Sequence, residues 1–207
     1  MSFLFSALLL AIFMAVVAML MPQGAWSSAV MLINVITAAL LAASFWEPLA
    51  QWMDDQVRRA TYLVDFVAIW LLFVVILLIL RTLTGFASRY NVRFPKVVEI
   101  PAAFFFAGWT AWVMVCFTLM TLHMAPLARN FMGGGFQPES RLMFNVAAPD
   151  RQWLGFVQKM SLGAFSRGDP QENNEAHVFD PRGEYLPKYA SRREEYENIE
   201  GIFLPGQ

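Results

Sequence analysis

Residue types that carry catalysis or bind metals are few in this chain of 207 residues. His123 and His177 each lack a ligand companion at the spacing of a metal site, and we interpret both as surface or interface side chains. Asp54 and Asp55 are adjacent, so on a helix their carboxylates point about 100° apart and cannot share one site. The single cysteine, Cys116, lies in an apolar segment and is interpreted as a small apolar side chain. The sequence therefore predicts no enzyme, no cofactor and no metal site.

Proteins that carry ions or protons usually keep an ionisable residue deep in the membrane. Here Asp65 and Arg81 lie at opposite ends of one apolar segment, and no charge lies at its middle. The glycines at 133–135 lack the Lys-Ser/Thr that follows in a phosphate-binding loop. Four polar side chains inside apolar segments can hydrogen-bond between helices or line a narrow pore: Asn34, Thr37, Thr110 and Thr118. A channel or transporter subunit formed by oligomerisation is therefore the alternative to a protein that works by binding a partner.

The apolar segment from Leu63 to Leu83 is the strongest structural signal, because sixteen of its twenty-one residues are Leu, Ile, Val or Phe. On the insertion scale these residues together contribute roughly −5 to −10 kcal/mol to membrane insertion. A buried helix of a soluble core does not fit, since three similar segments occur in a chain that is 57% hydrophobic and 15% charged. The sequence predicts an all-α membrane protein.

Four transmembrane helices are predicted over about residues 2–21, 26–45, 63–83 and 100–122, so that residues 1–123 form the membrane domain. Pro22-Gln23-Gly24 ends the first helix, and so short a connection predicts that the first two helices are antiparallel neighbours. Residues 46–60 are amphipathic, with Pro48 near their start. They are interpreted as a short helix at the membrane interface between the second and third spans, with an exposed loop as the alternative.

Small residues recur every four positions in three of the spans, a spacing that lets helix backbones approach closely in lipid. The predicted helix-packing positions are Ala7, Ala11 and Ala15 in the first span, Asn34, Ala38 and Ala42 in the second, and Ala103, Ala107 and Ala111 in the fourth. The third span is bulky on every side. Its pattern is compatible with facing lipid or with packing against the other three helices.

The C-terminal region, residues 124–207, is predicted to be a small, polar, partly helical extramembrane part. Asp150 is a predicted N-cap for a helix that ends near Ala164, and a second helix is predicted over residues 188–199. Because the region has too few apolar residues for a core of its own, its apolar face either binds a partner or packs on the membrane domain. The predicted partner-binding residues are Trp153, Phe156, Val157, Met160, Tyr189, Arg192, Arg193 and Tyr196.

The order of these segments resembles the colicin V production (CvpA) family of bacterial inner-membrane proteins over about residues 3–123. The stretches that carry the resemblance are GAWSSAVMLINVITAALLA, DFVAIWLLFVVILLIL and VVEIPAAFFFAGWTAWVMV. The family implies a role in production or export of a toxin-type product and in envelope homeostasis, without established chemistry. It also implies that both termini lie outside the cytoplasm and that the loop at 81–99 lies inside.

Charge near the spans only weakly favours an orientation, because each side of the membrane has four cations within reach of the helix ends. Their concentration in the loop at 81–99 favours a cytoplasmic position for that loop. We therefore expect a non-enzymatic inner-membrane protein with a periplasmic C-terminal region. It should contact the lipid bilayer and a protein partner or a second copy, and its net charge of −1 argues against nucleic acid.

Overall fold

The computed structural model describes residues 3–56, 61–87, 94–125, 143, 147–162, 179–180 and 182–203. In these ranges the chain forms six α-helices: α1 (Phe3–Leu20), α2 (Ala25–Gln56), α3 (Thr61–Ala87), α4 (Lys96–Met124), α5 (Pro149–Leu162) and α6 (Tyr185–Phe203). The first four are long and apolar enough to cross a membrane, which confirms the predicted all-α membrane fold. Residues 126–142 and 163–178, which include His177, lie outside the described residues.

Helix α4 is the centre of the packing, because it contacts each of the other five helices. Helix α2 packs on α3 and α4, and α1 packs on α4. Helix α3 buries Ala68, Ile69 and Phe73 against the bundle. Its opposite surface, which includes Leu71 and Leu78, is exposed and of the type that faces lipid. The sequence left open whether the third span faces lipid or packs against the other helices. Helix α3 does each with one of its two faces.

The connection between α1 and α2 is a 3-10 turn over Met21–Gln23, followed by Gly24 at φ 87°. A Cβ at Gly24 would lie 2.7 Å from Oε1 of Glu99, so the close approach as well as the positive φ requires glycine there. Glu99 accepts hydrogen bonds from the backbone N–H groups of Ala25 (3.0 Å) and Phe94 (3.1 Å). One carboxylate thus satisfies a free donor at the start of α2 and fixes that end against α4.

The predicted interfacial helix is wrong, because residues 46–56 continue α2 without a break despite Pro48. Trp46 and Ala50 are buried in the core on either side of the proline, and this packing sustains the helix past it. A helix of 32 residues is about 48 Å long, which exceeds the ~30 Å hydrocarbon layer. The polar final turns of α2, with Asp54 and Asp55, therefore extend beyond the membrane unless the helix is strongly tilted.

The predicted small-residue faces of α2 and α4 are buried. Asn34, Ala38 and Ala42 lie against the bundle, and the Asn34 amide donates to Thr84 of α3 (2.9 Å). Ala103, Ala107 and Ala111 are buried too, and the last two pack against Val17 and Leu20 of α1. These faces allow the close helix approach that their spacing predicts.

The predicted packing face of α1 is wrong. Ala11 and Ala15 are exposed and Ala7 is half-buried, whereas Phe5, Leu9 and Val17 make the contacts. The first two helices are also not the close neighbours that their short connection predicts, because α1 packs on α4. Bulky side chains of α1 fill the space beside the alanines of α4, so the small residues are needed on only one side of that interface.

Helices α5 and α6, which we call the cap, cover the end of the bundle where α2 and α4 end. Trp153, Val157, Tyr185 and Tyr189 belong to the same hydrophobic cluster as Phe117 of α4. The chain therefore divides into membrane and C-terminal parts by composition, but its packing is continuous. The short sequence after Asp180 is a turn, and Tyr185 and Pro187 lie in the first turn of α6.

Candidate functional site

Two contacts between ionisable side chains lie where the cap meets the bundle. Asp150, in the first turn of α5, lies with its Oδ2 3.2 Å from Nε2 of His123, in the last turn of α4. Both side chains are almost fully buried, at 3% and 1% exposure. Ala148 accepts the first hydrogen bond of α5, from Gln152, so Asp150 is not the predicted N-cap. It pairs α5 with α4 instead, and His123 is an interface residue between these helices.

A second charged contact joins the other cap helix to α3. Asp65 accepts hydrogen bonds from the Tyr189 hydroxyl (3.2 Å) and from the Arg192 guanidinium. The Arg192 group also lies 5.7 Å from the centre of the Tyr189 ring, within range of a cation–π contact. Asp65 comes at the start of a strongly apolar helix, and a charge in that position is stabilised by such a partner.

Tyr189 is held in its neutral, hydrogen-donating form. Burial, reinforced by the negative charge of Asp65, raises the pKa of the Tyr189 phenol well above its ordinary value of 10.0. The hydroxyl therefore donates to the Asp65 carboxylate throughout the neutral range. Ionisation of Tyr189 therefore does not break its hydrogen bond to Asp65 near neutral pH.

A cavity of about 180 Å³ opens beside this contact, between α2, α3 and α6. Its walls are strongly polar and carry three carboxylates and two cations: Glu47, Asp54, Asp65, Lys188 and Arg192. Ligand pockets are usually larger, about 300–1,000 Å³, and mostly apolar. Across the described ranges no three metal-ligating side chains come together. The cavity is thus suited to water or a very small polar molecule.

Aromatic side chains make further contacts at the junction, the interface between the cap and the bundle. Trp153 packs edge-on against Phe117 with ring centres 6.1 Å apart, and the Tyr185 hydroxyl donates to the backbone carbonyl of Met120 (3.1 Å). Deeper in the bundle, Trp112 of α4 donates to Gln152 of α5 (3.2 Å). The cap is therefore fastened along the last half of α4 rather than resting on its end.

Several residues predicted to bind a partner are used inside the molecule. Trp153, Val157 and Tyr189 are buried, and Arg192 forms an ion pair with Asp65. The alternative that the sequence left open, packing on the membrane domain, is therefore correct for these four. Phe156 is exposed and Met160 is half-buried, while the side chains of Arg193 and Tyr196 lie outside the described part.

The outward surface of α5 forms a separate face, which we call the basic face. Its exposed residues include two cations and two large apolar side chains: Arg151, Gly155, Phe156, Lys159 and Leu162. Phe156 is 38% exposed and Leu162 is 64% exposed. Of the residues predicted for partner binding, the basic face keeps only Phe156.

Sequence reasoning missed both contacts, His123–Asp150 and Asp65–Arg192. Their signals were present individually, since Asp65 begins an apolar helix and His123 ends one, and charges in such positions usually find partners. The partners, however, lie 127 and 27 residues further along the chain, and hydropathy does not match one charge to another. Only the packing of the cap brings them together.

Comparison of the chain with protein-family models, with curated proteins and with solved structures gives no match.

Proposed function

We propose that this multi-pass membrane protein acts without chemistry of its own, by binding a protein partner through the basic face of α5. The single observation that carries this proposal is that Phe156 and Leu162 are exposed on a helix whose opposite side is locked into the core. A helix that is held on one side and exposes apolar side chains on the other is a common recognition element. Lys159, which is exposed beside them, favours a partner with acidic residues around an apolar groove.

We propose the biological role and the cellular location of this protein from the resemblance of residues 3–123 to the colicin V production family. It supports a role in secretion of a toxin-type product or in envelope homeostasis, at a bacterial inner membrane. The cap lies beyond the region of resemblance, so in this proposal it supplies the partner specificity of this particular chain.

The test compares two exposed aromatic side chains at opposite ends of the protein. Phe156→Ala combined with Lys159→Glu changes the basic face, whereas Phe86→Ala changes a phenylalanine of α3 that is 70% exposed at the other end. After crosslinking in native membranes, we expect the first variant to lose a crosslinked protein at least tenfold and the second to retain it. Equal retention by both variants contradicts the docking face.

Two further outcomes separate the alternatives. If the cross-linked species are lipids and not protein, the basic face is an interfacial membrane contact of the kind formed by basic amphipathic helices. If purified protein in liposomes gives reproducible ion conductance, the channel or transporter alternative replaces the binding role. The hydrogen bond from Asn34 to Thr84 argues against the latter, because it uses a predicted pore-lining residue for helix packing.

Orientation is tested with single cysteines at exposed positions of the two ends. We propose that Ser191 in α6 is periplasmic and Lys96 at the start of α4 is cytoplasmic. An impermeant thiol reagent added to spheroplasts should then label Ser191→Cys and not Lys96→Cys. The native Cys116 is buried and gives little background. The reverse labelling pattern inverts the orientation without changing the helices.

A further inference from the structure

At the end of the bundle away from the cap, a groove of about 200 Å³ lies between the start of α2 and the end of α3. Its walls combine one cation, several polar groups and an interfacial tryptophan: Trp26, Ser27, Asn34, Arg81, Thr84 and Gly85. Val30 and Met31 continue the same surface as an apolar wall. The proposed function uses none of these residues.

Arg81 is the central feature of the groove. It follows seventeen residues that contain one charge, Asp65, at their beginning, and it is exposed on α3. Within the ranges that the structure covers, no carboxylate lies within ion-pair distance of its guanidinium. The nearest acidic residue in the sequence beyond it, Glu99, already accepts the N–H groups of Ala25 and Phe94. Because it is exposed at the end of an apolar span without an acidic partner among the described residues, Arg81 is available to bind an anion.

The polar neighbours fit an oxyanion. The Ser27 hydroxyl is half-buried and faces the groove with no hydrogen-bond partner among the described residues. Asn34 uses its amide to hold Thr84 in place (2.9 Å), and the Thr84 hydroxyl donates in turn to the carbonyl of Leu80 (2.8 Å). The groove wall is therefore fixed before a ligand arrives, and Arg81 with Ser27 supplies the free donors. A guanidinium fork matches the spacing of two phosphate oxygens.

We propose that this groove binds the phosphate group of an anionic phospholipid, with an acyl chain lying along Val30 and Met31. The lipid source is favoured over soluble phosphate by the composition of the walls, because an apolar wall continues directly from the cation. Trp26 beside it has the residue type and the chain position of a membrane-interface anchor.

The experiment measures lipid retention by native mass spectrometry of the full-length protein in detergent. The probes are dihexanoyl phosphatidylglycerol, which is anionic, and dihexanoyl phosphatidylcholine, which is zwitterionic and has the same chains. We expect the unchanged protein to retain the anionic lipid at least tenfold better. Arg81→Gln should lose most of this preference, while Lys96→Gln, an exposed cation at the same end but outside the groove, should change retention less than twofold.

A second variant tests the groove without touching charge. Gly85 lines the groove, and a Cβ there meets no atom within 4 Å, so Gly85→Leu adds bulk at the groove wall without a backbone clash. It should reduce retention of the anionic lipid about as much as Arg81→Gln, with unchanged helical content by circular dichroism. If Gly85→Leu does not fold, the comparison of Arg81→Gln with Lys96→Gln decides the proposal.

Three results would overturn the proposal. They are equal retention of the two lipids, equal effects of the Arg81 and Lys96 substitutions, or unchanged retention in a folded Gly85→Leu variant. Competition by millimolar inorganic phosphate at constant ionic strength would also overturn the lipid assignment, since it would show a site for the free anion.

Discussion

The two ends of the helix bundle use charge in opposite ways. At the capped end, Asp150 pairs with His123 and Arg192 with Asp65, so that paired ionisable side chains fasten the cap to the membrane helices. At the open end, Arg81 and Lys96 have no acidic partner in the described ranges, and the one carboxylate, Glu99, binds backbone N–H groups. The difference indicates that charge fixes structure at the capped end and is left available to the surroundings at the open end.

The largest effect that this comparison predicts is at the buried pair. His123→Ala leaves the Asp150 carboxylate buried without its partner, and removal of one member of such a pair costs about 3–5 kcal/mol. Unfolding of the purified protein in detergent by increasing denaturant measures this loss. Lys96→Ala is the control at the open end, where a surface change is expected to stay within about 0.5 kcal/mol.

The double variant His123→Leu with Asp150→Leu sharpens the result. If the loss comes from the uncompensated carboxylate, the double variant should recover most of the stability that His123→Ala loses. A loss below 1 kcal/mol in His123→Ala, or an equal loss in Lys96→Ala, would contradict the distinction between the ends.

A smaller effect is expected at the second contact of the capped end. Arg192→Gln removes the cation that Asp65 accepts, but the Arg192 side chain is 37% exposed, and water screens the interaction. We therefore expect about 1–2 kcal/mol in the same unfolding assay, less than for the buried pair. Lys159→Gln, an exposed cation on the outer side of α5, is the matched control and should have little effect.

A double-mutant cycle with Asp65→Asn identifies the source of that loss. If Arg192 acts through Asp65, the two substitutions together should cost less than the sum of their separate effects. Simple additivity would mean that Arg192 stabilises the cap through its contact with the Tyr189 ring instead.

Much of the membrane fold could be predicted from the sequence, because insertion depends on local hydrophobicity. Leu63 to Leu83 and its three counterparts are apolar enough to define spans without any tertiary information. The buried faces of α2 and α4 were also predictable, since Ala38 and Ala107 follow the spacing of close packing. Hydrophobicity and the spacing of small residues are properties of a single helix, so they can be recognised without knowing its neighbours.

The structural predictions that failed are those that depend on contacts between segments distant in the sequence. Pro48 marks a plausible helix start in isolation, yet Trp46 and Ala50 are buried by α3, α4 and the cap, so α2 continues. The alanines of α1 match the packing pattern, but α4 supplies the small residues for that interface and α1 the large ones. Likewise, Trp153 looked available for a partner because its site on Phe117 belongs to another helix.

At the open end, we expect Glu99 to stabilise the protein as a helix cap does. Glu99→Ala removes the acceptor for the Ala25 and Phe94 N–H groups and should cost about 1 kcal/mol. Glu195→Ala, at an exposed position of α6, is the control in the same assay. Lipid binding to the groove near Arg81 should be nearly unchanged, because Glu99 does not line it.

Gly24 gives an independent measure of the same contact. Gly24→Ala is strained by the positive φ and by the 2.7 Å approach to Glu99, so it should destabilise the wild-type protein by more than about 1 kcal/mol. In the Glu99→Ala background the clash is removed, and the cost of Gly24→Ala should fall to the part due to φ. Equal costs in both backgrounds would show that Glu99 does not approach Gly24.

The smallest effect near neutral pH is expected for Tyr189→Phe, and it should grow in alkali in a characteristic way. Burial and the Asp65 charge raise the pKa of Tyr189 in the folded protein above its ordinary value of 10.0. The folded state therefore favours the neutral phenol, so this contribution to stability is complete below about pH 10 and is lost progressively as the pH rises above it. The wild-type stability should decline above pH 10 more steeply than that of Tyr189→Phe, while the two decline equally between pH 7 and 9. Unfolding midpoints in detergent from pH 7 to 11 measure this difference, and other titrating groups cancel in the comparison. If the two curves stay parallel to pH 11, the Tyr189 hydroxyl is not held in its neutral form by the junction of cap and bundle.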